Sequence, residues 1–145
     1  MTKIISIQPG KLVFTFEHVG EFTHNNKYSR RVAWDFYTEE SKLKHKLKEE
    51  KGYAYMLQEV SEDSSKTVYV GQTERGLISR MIAHAEMSNI YKRILKSVKS
   101  GNKILIFKCI DMHGFNSKKV EAIVIGRLLE AGAGLWNEFE YKEAK

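Results

Sequence analysis

The spacing of hydrophobic residues changes several times along this chain, and the changes mark the predicted secondary structure. Residues 54–60 and 66–70 are rich in aromatic and β-branched side chains, and the polar run 61–65 separates them. Such side chains favour extended backbone, whereas Ser, Glu and Asp favour turns. The pattern therefore predicts a β-hairpin that carries tyrosines on both strands.

A helix is predicted soon after the hairpin. Leu77, Met81 and Ile82 fall on one side of a 3.6-residue helix, which gives it an apolar face. Arg80 and His84 are four residues apart and therefore share another side. The helix thus presents a guanidinium and an imidazole together, close in sequence to the tyrosines.

Strands and helices continue to alternate toward the C-terminus. A basic helix follows the first one, residues 103–110 have the alternation of a third strand, and residues 117–131 have the pattern of an amphipathic helix. Ser117 is a candidate cap for that helix, and Gly132 and Gly134 are expected to end it. The predicted fold class is α/β, with a small central, mainly antiparallel β-sheet flanked by helices.

Residues 1–51 are expected to form an N-terminal elaboration on a main domain spanning residues 52–145. Lys3–Ile7 and Lys11–Glu17 are predicted as short strands, and Thr38 is predicted to cap a charged helix. Three interpretations stay open, since the segment could complete the fold, contact DNA or mediate dimerisation. The basic residues Lys27, Arg30 and Arg31, which lie beside Tyr28, keep the second and third interpretations open.

Composition limits the size and partners of the protein. The chain has 145 residues, of which 42% are hydrophobic, enough for one domain with a modest core. Its formal net charge is +6, which favours a polyanionic partner. A run without acidic residues, between Glu86 and Asp111, carries six positive charges. Lys92, Lys96 and Lys99 fall at helical spacings of four and three and form either a phosphate-binding ridge or a solvated helix face, and Arg93 is a further candidate contact to nucleic acid.

Other functional classes are disfavoured by the sequence. Cys109 is the only cysteine, so an intrachain disulfide and a cysteine-rich zinc site are excluded. The N-terminal apolar run is too short for a secretory signal, and no stretch approaches the roughly 20 apolar residues of a membrane span. We therefore expect a soluble intracellular protein, in the cytoplasm, without a membrane partner.

Five elements in a fixed order resemble the GIY-YIG nuclease family over roughly residues 52–140. A first signature occurs around Tyr55, and a second reads Tyr69-Val70-Gly71. Arg80 and His84 follow with the family's four-residue separation, a helix carrying Glu121 comes next, and Asn137 lies sixteen residues beyond it. Many members have a lysine directly after the second glycine, where this chain has Gln72. Several elements in the right order are harder to obtain by chance than one short motif.

The resemblance implies a metal-dependent endonuclease that hydrolyses DNA phosphodiester bonds. Glu121 is then the ligand of a single Mg²⁺ or Mn²⁺ ion, because a hard cation with one carboxylate and several waters can still bind a phosphate oxygen. Arg80 is expected to hold the scissile phosphate, and its planar guanidinium suits that role better than an ammonium group. The expected arrangement is a GIY-YIG-like sheet that displays its tyrosines on a concave surface.

The remaining site residues are expected to handle protons and position the substrate. One tyrosine helps to deprotonate the attacking water by the family's precedent, and we assign that role to Tyr55 and the positioning of water and phosphate to Tyr69. His84 is expected to orient a tyrosine hydroxyl or accept its proton. Asn137 either anchors the segment after the Glu121 helix or contacts the phosphate.

Each of these residues, taken singly, also has an ordinary structural explanation. A buried sheet tyrosine, a surface arginine and an acid in the first turn of a helix are common in proteins. Two further functions therefore stay open on the same scaffold, a nucleic-acid-binding protein that does not cut and a protein-interaction module.

Overall fold

An antiparallel sheet organises the part of the chain that the structure describes. The structure is a computed structural model, and it describes residues 4–8, 10, 12–25, 32–36, 52–74 and 77–137. The strands are β1 (Ile4–Ile7), β2 (Phe14–His24), β3 (Val32–Phe36), β4 (Tyr53–Val60), β5 (Ser65–Thr73) and β6 (Lys103–Cys109). The helices in these ranges are α1 (Leu77–Glu86), α2 (Tyr91–Lys99) and α3 (Ser117–Glu130).

The strand order is β1-β2-β6-β4-β5, and β3 pairs with β2 as well. Every pairing is antiparallel. The hairpin of β4 and β5 places Tyr55 opposite Gly71, and β6 pairs with the other edge of β4. The predicted α/β class with a small antiparallel sheet and flanking helices is therefore confirmed.

The N-terminal strands belong to the same sheet as the hairpin. β2 pairs with β6 from Phe16 opposite Cys109 to Phe22 opposite Ile104, with an irregularity between His18 and Gly20. Its other edge pairs first with β1 and then with β3, a strand that the sequence pattern did not predict. β2 also extends well beyond the predicted strand, which ended at residue 17.

Part of the N-terminal prediction lies outside the described residues. This applies to the charged helix expected after Thr38 and to the basic residues Lys27, Arg30 and Arg31. The described strands β1, β2 and β3 contribute to the central sheet, and β2 occupies an interior position in it.

Two apolar clusters pack on the opposite faces of the sheet. On one face α1 and α2 cover Leu57, Ile104 and Ile106, and on the other α3 covers Met56 and Phe107. The two sets alternate along β4 and β6, as side chains do on a strand buried on both sides. Burial of both faces explains why these strands are almost continuously hydrophobic.

The residue that caps helix α3 lies one position before the one that the sequence predicted. The cap is Asn116, whose side-chain oxygen accepts a hydrogen bond from the Lys119 amide at 2.8 Å, so the prediction of Ser117 as the cap is wrong. Ser117 is instead the first helical residue, and Glu121 consequently lies beyond the first turn. Stabilisation by the helix dipole falls off within that turn, so the dipole does little to explain a carboxylate at this position.

Candidate active site

Three rings from separate elements form a buried cluster under α1. The Tyr55 hydroxyl oxygen lies 2.6 Å from His84 Nε2, and the ring centroids of Tyr55, Tyr69 and His84 are 5.6 to 6.2 Å apart. Tyr55 and His84 have no exposed surface, and Tyr69 is 5% exposed. The structure thus brings together three of the residues that the sequence singled out.

Gly71 makes room for these rings. It lies opposite Tyr55 in the hairpin, and a Cβ atom at this position would overlap the Tyr55 hydroxyl and the Tyr69 ring. Any larger residue would displace a phenol from the cluster. The packing of the two tyrosines therefore explains why a glycine is needed at this position of the second signature.

Arg80 joins the cluster from one turn before His84. Its guanidinium interacts with the hydroxyls of Tyr55 and Tyr69, and its Nε atom is buried without a hydrogen-bond acceptor among the described residues. Burial alone would lower the pKa of Arg80, but the two phenol oxygens outweigh it and the pKa is raised. A buried donor with no acceptor is rare in folded proteins and calls for a partner.

The protonation states of the cluster follow from its burial. Burial raises the pKa of Tyr55, Tyr69 raises it further, and Arg80 partly opposes both effects. Burial lowers the pKa of His84 to about 3, with a further contribution from the positive charge of Arg80. Tyr55 is therefore a neutral phenol and His84 a neutral imidazole at physiological pH.

Ser88 completes the hydrogen bonds of His84, and the sequence predictions missed it. Its Oγ lies 2.7 Å from His84 Nδ1, so both ring nitrogens of this histidine have partners. Ser88 follows His84 by four residues, the same spacing that drew attention to Arg80 and His84. That spacing was the available signal, but Ser88 lies just beyond the C-terminal end of α1, at Glu86.

Glu121 approaches the cluster from α3. Its side chain is partly buried, and its negative charge contributes to the raised pKa of Tyr55, which places the two residues within electrostatic range. Among the described residues no three His, Cys, Asp or Glu side chains gather into a metal-binding group. A single carboxylate fits a Mg²⁺ ion that keeps several waters and takes further ligands from substrate phosphates.

Asn137 ties the segment after α3 to the free edge of β5. Its amide nitrogen donates to the Val70 carbonyl at 2.6 Å, and its amide oxygen accepts from the Val70 N–H at 2.9 Å. The side chain is 3% exposed, so these bonds are made away from water. The Asn137 amide thus bonds the β5 backbone as a neighbouring strand would. Of the two roles expected for Asn137, this contact corresponds to anchoring.

Gln72 faces away from the tyrosines. Its Oε1 accepts a hydrogen bond of 2.9 Å from Ser117 Oγ, which links β5 to the first turn of α3. A nearby cavity of about 440 Å³ is lined by Gly52, Glu74, Met112, Asn116, Ser117 and Lys118. This cavity lies at the N-terminal end of α3.

The basic residues predicted to contact nucleic acid lie on α2. Lys92, Lys96 and Lys99 are exposed, while Arg93 is half-buried beside them. On the opposite side of the helix Ile94, Ser97 and Val98 are buried against the sheet. Lys108 lies elsewhere, on β6, with its Nζ 4.7 Å from the centre of the Tyr53 ring.

Comparison with known proteins gives no match. No family model matches the sequence, and no curated protein or solved structure is significantly similar to it. In the described part of the chain, no helix is both long and apolar enough to cross a membrane.

Proposed function

We propose that this protein is a metal-dependent endonuclease that hydrolyses phosphodiester bonds in DNA, as its resemblance to the GIY-YIG family implies. The observation that carries the proposal is the buried Arg80 Nε, which has no acceptor among the described residues and lies beside two phenols. A phosphate oxygen satisfies such a donor, and the guanidinium then neutralises charge that grows on the phosphate during attack.

Proton transfer is the second requirement, and the pair of Tyr55 and His84 supplies it. A phenol with a raised pKa is a poor source of phenolate, so Tyr55 works as a neutral group. It accepts a proton from the attacking water on its oxygen while its own proton moves to His84 Nε2, 2.6 Å away. Tyr69 lies next to Tyr55 and also interacts with Arg80, which suits it to position water and phosphate.

Glu121 is the residue that would hold the Mg²⁺ or Mn²⁺ ion. A divalent cation bound there supplies Lewis-acid stabilisation to the phosphate and its leaving oxygen. The position of Glu121 beyond the first turn of α3, within electrostatic range of Tyr55, supports this role. Asn137 holds the segment that follows α3 to β5.

The lysine ridge, formed by Lys92, Lys96 and Lys99, is proposed to bind DNA flanking the cleaved bond. Exposed ammonium groups at successive helical turns contact phosphates without regard to base sequence. Arg93 lies at the inner side of the same ridge. This surface supplies affinity, while the buried cluster supplies the chemistry.

Cleavage of supercoiled plasmid tests the proposal. We expect the wild type to nick or linearise DNA with Mg²⁺ and to lose this activity in EDTA. Glu121→Gln should bind DNA as well as the wild type but reduce cleavage below detection, because glutamine keeps the shape and removes the charge. Glu130→Gln is the matched control, since this carboxylate lies on the same helix and pairs with the exposed Arg127.

Two results would contradict the proposal. Equal cleavage by the wild type and Glu121→Gln would remove Glu121 from the site. If the protein bound DNA but cut it with no divalent ion, a binding module on this scaffold would be favoured. The neutral Gln72 and the complete burial of Tyr55 are compatible with that outcome.

A further inference from the structure

Ser88 occupies a fixed place in the turn between α1 and α2. Its amide donates to the Ala83 carbonyl at 2.9 Å, and its carbonyl accepts from the Tyr91 amide at 3.0 Å. The backbone on both sides is thereby held, and Oγ lies 2.7 Å from His84 Nδ1. Ser88 is half-buried, whereas His84 has no exposed surface.

The direction of the hydrogen bonds follows from the chemistry of the three partners. A guanidinium can only donate, so the Tyr55 oxygen accepts from Arg80. Imidazole nitrogen is a better acceptor than phenol oxygen, and the phenol O–H is the stronger donor of the pair. Tyr55 therefore donates to His84 Nε2, and the neutral imidazole must carry its proton on Nδ1, which donates to Ser88.

We propose that Ser88 is a positioning residue that holds His84 in the Nδ1–H tautomer and forms the outer end of a proton-transfer chain from Tyr55 through His84. The tautomer is a property of the resting protein. The transfer step rests on the function proposed above.

The step conserves protons at every member of the chain. As the attacking water gives a proton to the Tyr55 oxygen, the phenol O–H breaks and Nε2–H forms on His84. At the same time Nδ1–H breaks, a new O–H forms at Ser88, and the former hydroxyl proton of Ser88 passes to solvent. The imidazole remains neutral throughout.

A neutral imidazole is needed because the site disfavours the charged form. His84 is fully buried beside Arg80, and its pKa of about 3 means that it cannot store a second proton at physiological pH. A proton received on Nε2 must therefore be matched by one released from Nδ1, and Ser88 is the acceptor in contact with that atom.

The tautomer can be observed directly by ¹⁵N NMR of histidine-labelled protein, with His84→Gln used to assign the His84 signals. We expect wild-type His84 to be protonated on Nδ1 alone. In Ser88→Ala the preference should shift toward Nε2–H or a mixture, and Ser88→Thr, which keeps a hydroxyl, should restore Nδ1–H. Wild-type His84 protonated on Nε2, or an unchanged tautomer in Ser88→Ala, would overturn the inference whether or not the protein cuts DNA.

Single-turnover cleavage tests the transfer step. Ser88→Ala should lower the rate about tenfold with unchanged DNA affinity, as expected when the partner that orients a catalytic histidine is removed. Ser100→Ala is the matched control, because this exposed hydroxyl donates to the Lys96 carbonyl near the end of α2, at 3.0 Å. A wild-type rate in Ser88→Ala would remove Ser88 from the proton-transfer chain. A wild type that does not cut DNA would overturn the proposed function and the transfer step, and the NMR experiment would still decide the tautomer.

Discussion

The buried cluster under α1 and the lysine ridge on α2 have opposite physical characters. The first, formed by Tyr55, Tyr69, Arg80 and His84, holds polar atoms in contacts as short as 2.6 Å within an apolar core. The second displays three exposed ammonium groups on a helix whose inner face is buried. The helices that contribute to the two regions follow each other in the chain, yet the polar groups of the cluster are buried and the ammonium groups of the ridge are exposed.

Under the proposed function, this difference would divide chemistry and affinity between the two regions. Burying a phenol, an imidazole and a guanidinium together disfavours folding unless each polar atom is satisfied. Arg80 Nε is the described exception, and it lies where the proposed phosphate would bind. Flexible lysines carry no such constraint and bind any phosphate at a suitable distance. Substitutions in the cluster should therefore alter rate, and those in the ridge should alter affinity.

Within the buried cluster, the largest expected effect comes from removing the Tyr55 hydroxyl. Tyr55→Phe should lower the single-turnover cleavage rate by about 10²-fold or more, the range typical for loss of a general base, while DNA affinity stays nearly unchanged. The ring that packs in the core is retained, although His84 Nε2 loses its partner. That loss should reduce the unfolding free energy by about 1 to 3 kcal/mol, which urea titration would measure.

Tyr69→Phe is the comparison for this variant, because both tyrosines lie in the same cluster. We expect a smaller loss of rate from it, since Tyr69 is assigned to positioning. If Tyr69→Phe proved crippling and Tyr55→Phe silent, the two roles would be reversed.

A smaller effect is expected on stability at acid pH, and it should arise from His84 in the buried cluster rather than from the lysine ridge. The pKa of His84 is lowered to about 3 in the folded protein, from 6.5 for an ordinary histidine. As the pH falls below 6.5, the unfolded chain binds a proton that the folded protein excludes, so stability is lost. The loss should be about 1.4 kcal/mol per pH unit well below 6.5, continuing toward pH 3.

Urea unfolding at pH 7, 5.5 and 4.5 would measure this loss, with His84→Gln as the control. Glutamine cannot titrate, so the variant should show a flatter dependence on pH than the wild type, whatever the carboxylates contribute to both. Parallel curves for the two proteins would show that His84 is not the cause.

The sequence predicted local structure better than long-range geometry. The hairpin, the helix with Arg80 and His84, and the helix with Glu121 all produce a strong local pattern, and each is found within a few residues of its predicted bounds. β3 was missed because Val32–Phe36 is only five residues long and has two exposed residues in succession, Trp34 and Asp35, which interrupt the alternation. The interior place of β2 depends on pairing with β6, about ninety residues away in the chain, which no local pattern encodes.

The contacts of the site show the same limit. Spacing placed Arg80 beside His84, but the bond from Asn137 to Val70 joins residues 67 positions apart. Ser88 was missed because it follows the end of α1, where helical spacing is not expected to hold. Gln72 stands where a lysine was expected by resemblance, and only the structure shows that it bonds Ser117 and faces α3.

The smallest expected effect comes from the lysine ridge. Each of its contacts with DNA is weak, but each one adds to the salt dependence of binding. Replacing Lys92, Lys96 and Lys99 with glutamine should weaken binding to unrelated DNA sequences and flatten the log–log salt dependence by about 0.9 for each lost duplex contact. Fluorescence anisotropy over a series of salt concentrations measures this slope.

The matched control replaces three lysines that each lie near a carboxylate, Lys66, Lys103 and Lys118, which removes the same charge elsewhere. If both triple variants changed the slope equally, net charge rather than the ridge would control binding, and an unchanged slope would make the ridge a solvated helix face.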